Sequence, residues 1–394
     1  MFHSCLFSAL VTVASLALAT DAQSADWPMW RNDEQRSASS SSQLPEVLHL
    51  QWTRQLAAPV PAWPNEARLH FDASYEPIVL GSRMFVGSMI DGSVIALDTR
   101  SGEELWRFYT NGPVRLAPVA FDRRVCFGSD DGWLYCVDAV SGKLQWKVSG
   151  APVDRGAHWH LGNARLVSFW PVRGGPVVAD GVVYFGAGIW PTLGVFVRAV
   201  EARTGKIIWT NGNSHAIANV RVDHNYLQES GLSPQGHMLV QGDMLIVPNG
   251  RSMPARLDRK TGKLHYFVQG YRNGDSRVIV DRDIALVGRT GVVSLKDGRE
   301  IANRWTAAGK DAPAGWSSSK IDLFEGPIFP YKFQHACDYR SVIDNGIAYG
   351  LDNGTVHAYD LRTARTSSQK NKTFNGKDIP PARWDATVLW TLKT

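Results

Sequence analysis

Residues 149–175 hold a dense group of side chains able to do chemistry: Arg155, His158, Trp159, His160, Arg165 and Trp170. His158 and His160 are two positions apart, so on a strand both imidazoles point to one face, as a pair of metal-ligating histidines would. Spacing supplies no third ligand. His215, Asp223 and His224 stand in a second irregular stretch, and only the fold could bring them near. Hydrogen-bonded structural histidines satisfy the same H-x-H pattern. Guanidinium forks and aromatic faces are also good recognition groups, which makes this stretch a candidate loop for a sugar, a peptide or another partner. Cys126 and Cys136 lie five residues to either side of Asp131, so a hairpin turn there sets them face to face across two strands. The matching pair 40 residues earlier is Val86 and Ala96, which points to a packed site for small residues. Buried thiols are the expectation, with a cross-strand disulfide as the alternative that an oxidising compartment would allow. The sequence has no G-x-S-x-G, H-E-x-x-H, phosphate-binding loop or C-x-x-C.

The elements that must position these residues form one motif repeated. The segment from Pro77 to Phe108 aligns with that from Pro118 to Val148, so that Gly92, Gly102 and Trp106 recur as Gly132, Gly142 and Trp146, each 40 residues on. Further copies cover about 176–209, 234–267, 277–301 and 341–360. In each, runs of Val, Ile, Phe and Tyr are separated by turn residues, which reads as four short strands. Asp91-Gly92, Asp131-Gly132 and Asn353-Gly354 between the second and third strands predict type I′ turns. Asp98 with Gly102, Asp138 with Gly142, and Asp258 with Gly262 predict a turn that the Asp side chain caps and a left-handed Gly closes.

Four strands recurring at about 40 residues are the signature of a propeller blade, so the fold class is an all-β propeller. Six complete blades are expected, at roughly 76–110, 116–149, 175–211, 233–269, 275–303 and 340–394. The segment LQWTRQL (residues 50–56) reads as an orphan fourth strand, with Trp52 in the place of Trp106. It implies a ring of seven or eight blades and a chain cut short at its C-terminus. The alternative is a closed ring of six with an extra strand. Insertions at 149–175, 211–233, 302–340 and 361–386 break the rhythm, and loops on a rigid scaffold are where binding residues gather.

Five of the 15 tryptophans hold one repeated place (Trp52, Trp106, Trp146, Trp209 and Trp390), and Tyr266 substitutes in the fourth copy. A ring of that size can dock one blade on the next. Trp159 and Trp170 are the ones left over for function. The pattern A-x-D-x-x-[ST]-G-x-x-x-W, at Ala96, Asp98, Ser101, Gly102 and Trp106, recurs around Asp138 and Glu201. It resembles the tryptophan-docking repeat of the pyrroloquinoline-quinone (PQQ)-like propellers. That superfamily includes quinoprotein alcohol dehydrogenases and the propeller lipoprotein of the outer-membrane β-barrel assembly machinery. The DWPMWR opening (26–31) and the stretch 158–171 look like exported PQQ-like repeat proteins of Planctomycetes-type bacteria. The resemblance implies that any enzyme would use PQQ with calcium and often an adjacent cysteine pair, which this chain lacks. No carboxylate of this chain falls in a motif shared with those enzymes, and no residue here carries a catalytic role by the resemblance.

Residues 6–19 form an apolar run without charge, ending in an A-x-A pattern, which predicts a signal peptide over 1–19. Residues 20–48 are expected to be a flexible segment, with Asp33-Glu34 an isolated acidic pair and 37–42 a serine-rich linker. No later stretch of the mature chain is long and apolar enough to span a membrane. A formal charge of +5 over 394 residues, with no basic run, gives no footprint for nucleic acid. The expected function is therefore a non-catalytic scaffold, exported to the periplasm or cell envelope, that binds a protein or an envelope polymer. A PQQ-dependent dehydrogenase of alcohols or sugars is the alternative, and an accessory region of a larger enzyme the second.

Overall fold

The computed structural model describes residues 26–393, apart from 66–70, 157, 163–164, 224–225, 270–273, 289–290, 299, 304–341, 353, 367–372, 375–376 and 379–383. The expected signal peptide, Cys337 and the third insertion lie outside the described residues.

The repeats fold as antiparallel meanders. The first runs Ile78–Leu80, Arg83–Ser88, Ser93–Asp98 and Glu104–Tyr109, each strand bonded to the next. The second repeats this order from Val119–Phe121 to Leu144–Ser149. Among the described residues six such sheets occur, five with four strands. The third sheet, begun by Gly174–Ala179, gains a short fifth strand, Gly236–His237, which runs parallel to it. The first strands of the second to fifth sheets are mostly buried, whereas the fourth strands of the second and third sheets are largely exposed. The protein is thus an all-β propeller.

Type I′ turns are present, but not where the Asp-Gly dipeptides predicted them. Asp91 and Asp131 keep negative φ, and only Gly92 (φ 66°) and Gly132 (φ 90°) are left-handed, because four residues rather than two bridge these strands. Paired left-handed residues instead link first to second strands, at Asp122-Arg123, Asp180-Gly181 and Asn345-Gly346. The register of the first blade is also one residue off the expected match: Ala96 faces Phe85, and Val86 faces Ile95. In the second blade Cys126 faces Cys136.

The third-to-fourth turns follow the expected chemistry. Asp98 Oδ1 accepts the N–H groups of Arg100 and Ser101, both at 2.9 Å, and Asp138 and Asp258 repeat this cap. Each turn ends on a left-handed glycine that carries the ring of the preceding blade. A methyl added at Gly102 would come within 2.6 Å of the Trp52 ring, at Gly142 within 2.7 Å of Trp106, and at Gly205 within 2.7 Å of Trp146. Gly262 carries Trp209, and Gly298 carries Tyr266. Trp52, Trp106 and Trp209 also donate Nε1–H to a carbonyl of that next turn, at 2.9–3.1 Å. Residues 50–56 form no ladder with another strand, yet Trp52 docks as a fourth-strand ring should. Trp390 sits over Tyr349 of its own blade and is 47% exposed.

Glycine at these turns answers both a backbone and a packing demand. Gly142→Ala puts a Cβ into the Trp106 ring and a side chain at φ 68°. We expect a loss of about 2–4 kcal/mol in urea unfolding, with Trp106 fluorescence shifted toward its exposed value.

Residues 27–39, read from the sequence as flexible, are instead a strap across the hub. Trp27 exchanges two backbone bonds with Val79 in the first blade, and Pro28 C=O takes the Ala120 N–H of the second. Glu34, Gln35 and Ser37 carbonyls accept from Val240, Val280 and Ile343, on the innermost strands of the fourth, fifth and sixth blades. Arg36 is wholly buried and reaches the Pro176 carbonyl of the third blade at 3.1 Å. Asp33 holds the strap's own turn by accepting the Gln35 and Ser37 N–H groups. Every blade's inner strand is therefore tied to one short segment.

Candidate functional site

Where the first, second and third blades meet, four buried charged side chains form a chain of ion pairs. Arg115 precedes the second blade's first strand, Arg173 precedes the third's, and Asp130 lies in the second blade's Ser129–Gly132 turn. Asp130 accepts Arg115 Nε at 2.6 Å and, from the other side, Arg173 Nε at 3.0 Å and Nη2 at 2.9 Å. Arg115 Nη1 continues to Asp72 Oδ2 at 2.7 Å, and Asp72 Oδ2 also accepts the Ala62 N–H at 2.8 Å. Two guanidiniums and two carboxylates thus neutralise one another out of contact with water.

Burial and the neighbouring guanidiniums pull each carboxyl in opposite directions. Burial works to raise Asp130, but Arg173 and Arg115 outweigh it and hold the carboxyl below its usual range. At Asp72 burial prevails over Arg115, and the carboxyl is pushed up. Asp72 Oδ1 has no hydrogen-bond partner among the described residues, which accords with the rise. The Trp63 ring lies over the Arg173 guanidinium at 5.9 Å and meets the Trp190 ring edge-on at 5.5 Å. On the strap side, Trp30 stacks on His237 at 4.3 Å, and His237 Nε2 accepts the Ala117 N–H.

The first insertion folds over this network as a two-stranded hairpin, Trp159–Gly162 paired with Arg165–Ser168. Strand alternation divides it. His160 and its partner Val167 face inward, and Arg165 donates to the Ile90 carbonyl in the first blade. Burial and then Arg173 depress the His160 imidazole, against the pull of Asp130. Trp159, Leu161 and Leu166 face out and are 40%, 73% and 64% exposed. His158, just before the strand, and His160 both pack on Phe169, at 5.9 and 5.2 Å. No group of three His, Cys, Asp or Glu in ligating geometry occurs among the described residues. Trp170 departs from the role left open for it: it is 6% exposed, donates to the Leu193 carbonyl at 2.9 Å and packs on Phe196. Arg155 ends a short 3-10 turn, and its side chain lies outside the described residues. In the second insertion, Ile217–Asp223 and Tyr226–Ser230 form another hairpin; His215 lies just before it, and His224 is outside the described residues.

The donors of this cluster do not fit a quinone with its cation. Arg115 and Arg173 already face carboxylates, and Asp130 already faces two arginines, so these four residues offer neither an acidic quinone nor calcium a free counter-charge. The sequence reading missed Arg36, Asp72, Arg115, Asp130, Arg173 and His237. None sits in a motif with a spacing of its own, although the DWPMWR opening did mark the strap.

Four-stranded blades, a ring-on-glycine dock and a tied hub define a propeller of PQQ-like repeats. The chain belongs to the family described as outer membrane protein assembly factor BamB, whose model matches residues 28–157 and 90–370. It is similar to the dehydrogenase subunit of the quinone alcohol dehydrogenase of Gluconobacter oxydans (strain 621H), at 33% identity over 127 residues. That match takes in 29% of this chain and 16% of that protein. The corresponding subunit of Gluconacetobacter polyoxogenes is 28% identical over 189 residues, 37% of this chain and 24% of that protein. The matched parts thus span less than a quarter of the length of these curated relatives. Among solved structures, the quinohemoprotein alcohol dehydrogenase of Comamonas testosteroni superposes with a TM-score of 0.53 at 17% identity, covering 95% of this chain and 68% of that one. At that identity the likeness is one of fold.

Proposed function

We propose that the chain is a non-catalytic binding propeller of the cell envelope, and that it presents the 159–168 hairpin to a protein or an envelope polymer. The observation that carries this reading is the mutual neutralisation of the Asp72–Arg115–Asp130–Arg173 chain of ion pairs, beneath a hairpin whose outer face is apolar. Buried groups that already neutralise each other add rigidity and have no charge left over for a reacting substrate. An exposed Trp159–Leu161–Leu166 face, by contrast, is the kind of surface that a partner covers. The reading agrees with membership of a family described as an assembly factor, and with the signal peptide expected at residues 1–19. No helix among the described residues is long and apolar enough to cross a membrane.

The quinone-named relatives favour a second reading, an alcohol dehydrogenase. One experiment separates the two. Purified protein is incubated with PQQ and Ca²⁺, and dye reduction is followed with a panel of primary alcohols and sugars. The expected result is a rate equal to that of the heat-inactivated control. Turnover above that control refutes the scaffold reading.

A further inference from the structure

In three blades the docking ring rests on the same pair of residues. Trp106 faces Ala96, which faces Phe85, and the Phe85 ring lies 5.7 Å from that of Trp106. Trp209, Ala199 and Tyr184 repeat this layer with rings 6.0 Å apart, and so do Trp390, Ala358 and Tyr349. The second blade breaks the rule: Trp146 faces Cys136, and Cys136 faces Cys126. Two sulfurs stand where the other blades place an aromatic ring and a methyl group. Both residues have no exposed surface, and they lie in the core shared by the second, third and fourth blades. Trp146 is also unlike Trp106 and Trp209 in that its Nε1 has no hydrogen-bond partner among the described residues.

We propose that Cys126 and Cys136 are a disulfide site that is oxidised while the second blade folds, before the third blade covers it. This assignment rests on the export reading, since only an oxidising compartment would supply the oxidant. Directly opposed strand residues bring their Cα atoms within the range a disulfide spans. The strands Arg124–Gly128 and Trp133–Asp138 form a local hairpin, which can pair without the rest of the ring. In the folded chain burial, then the hydrogen bond with Cys136, pushes the Cys126 thiol up, away from the thiolate that exchange requires, and neither sulfur has exposed surface for an oxidant to reach. Its redox state is therefore set during folding and then sealed.

The chemistry balances with a small-molecule disulfide as oxidant. The thiolate of one cysteine attacks the external disulfide, forms a mixed disulfide and releases one thiol. The thiolate of the other attacks the protein sulfur, forms the Cys126–Cys136 bond and releases the second. Two electrons and two protons pass to the oxidant, whose S–S bond breaks as the protein's forms.

Cleavage after Arg124 and Lys143 leaves both cysteines on one peptide, residues 125–143, which makes the test direct. The full chain is unfolded with reductant, then refolded in a reduced/oxidised glutathione buffer, quenched with an alkylating agent and digested. The expected peptide is unalkylated and lighter by about 2 Da, the mass of two hydrogens. Chain that is already folded and reduced, held in the same buffer, should yield the doubly alkylated peptide once denatured in alkylating agent. Free thiols or glutathione adducts on this peptide after refolding overturn the site. Oxidation of the folded chain at the same rate overturns the sealing. Neither outcome depends on export, which is read separately from the N-terminal residue of the mature chain in an envelope fraction.

Discussion

Replacing Arg36 with Met should lower stability by on the order of 3–5 kcal/mol, one of the two largest effects expected for a single change in this chain. The guanidinium donates to the Met238 carbonyl through Nη2 at 2.7 Å and Nε at 3.1 Å, to Pro176 through Nη2 at 3.1 Å, and to Trp30 through Nη1 at 3.0 Å. Methionine keeps much of the volume but removes every donor, which leaves three buried carbonyls without their partner at about 1–3 kcal/mol each. Part of that loss is returned, because the buried charge is itself costly. Burial lowers the Arg36 pKa to about 10, against the pull of Asp33, Glu34 and Glu76. The side chain is still charged at neutral pH, and its donors are the partners these carbonyls have in place of water. Hydrogen exchange gives a readout that general weakening would not. The amides of Val79, Ala120, Val240, Val280 and Ile343 each donate to the strap, one on each innermost strand but the third, and should lose protection together. Exchange confined to the third and fourth blades would overturn the strap's role in tying the ring.

That strap shows where sequence reasoning stops. The blades were legible because each one solves the same local problem: alternation sets strands, Asp98 and its counterparts cap a turn, and Gly102 and its counterparts take the ring of a neighbour. Such information is local and recurs, so six weak signals add. The strap is neither. Arg36 is buried by contacts 140 and 202 residues away, and its neighbours Asp33, Glu34 and Ser37 have the composition of a solvated linker. Four non-glycine residues there, Arg31, Asn32, Arg36 and Ala38, hold positive φ, a conformation no composition would announce. Asp130 was hidden for another reason. It stands beside Asp131 in an Asp-Asp-Gly turn, and turn chemistry accounts for the pair without invoking the two arginines that bury one of them. Trp170 was misassigned in the opposite direction, since an irregular insertion reads as exposed although its last residues re-enter the core. The neighbour that the two H-x-H imidazoles share is the Phe169 ring.

Asp130→Asn should cost about 3–5 kcal/mol, because it leaves two buried guanidiniums without the anion between them. The amide oxygen in the place of Oδ2 can accept two of the three hydrogen bonds, while the NH₂ group in the place of Oδ1 turns a donor toward the Arg173 Nε–H. Asp72 neutralises only one of the two arginines, so a net positive charge stays buried. The pH dependence separates this cause from simple loss of packing. The Asp130 pKa is lower in the folded than in the unfolded chain, whose value is about 3.9. Its contribution is therefore fully present above about pH 4–5 and is lost as pH falls through the lower folded value. Asp72 has the opposite sign: its raised pKa makes the folded chain the better proton binder, so its contribution is present below about pH 3.9 and fades as pH rises through the folded value. Urea unfolding of wild type and variant at stepped pH should show a wide gap near neutrality that narrows below about pH 4, as the wild type begins to lose what the variant never had. A gap that stays constant down to acid pH would assign Asp130 to packing alone. A double change, Asp130→Asn with Arg173→Met, should cost less than the sum of the singles, since one orphaned charge goes with its former partner. Recovery of that kind would locate the energy in the pairing itself, the feature on which the binding-scaffold reading of the hub depends.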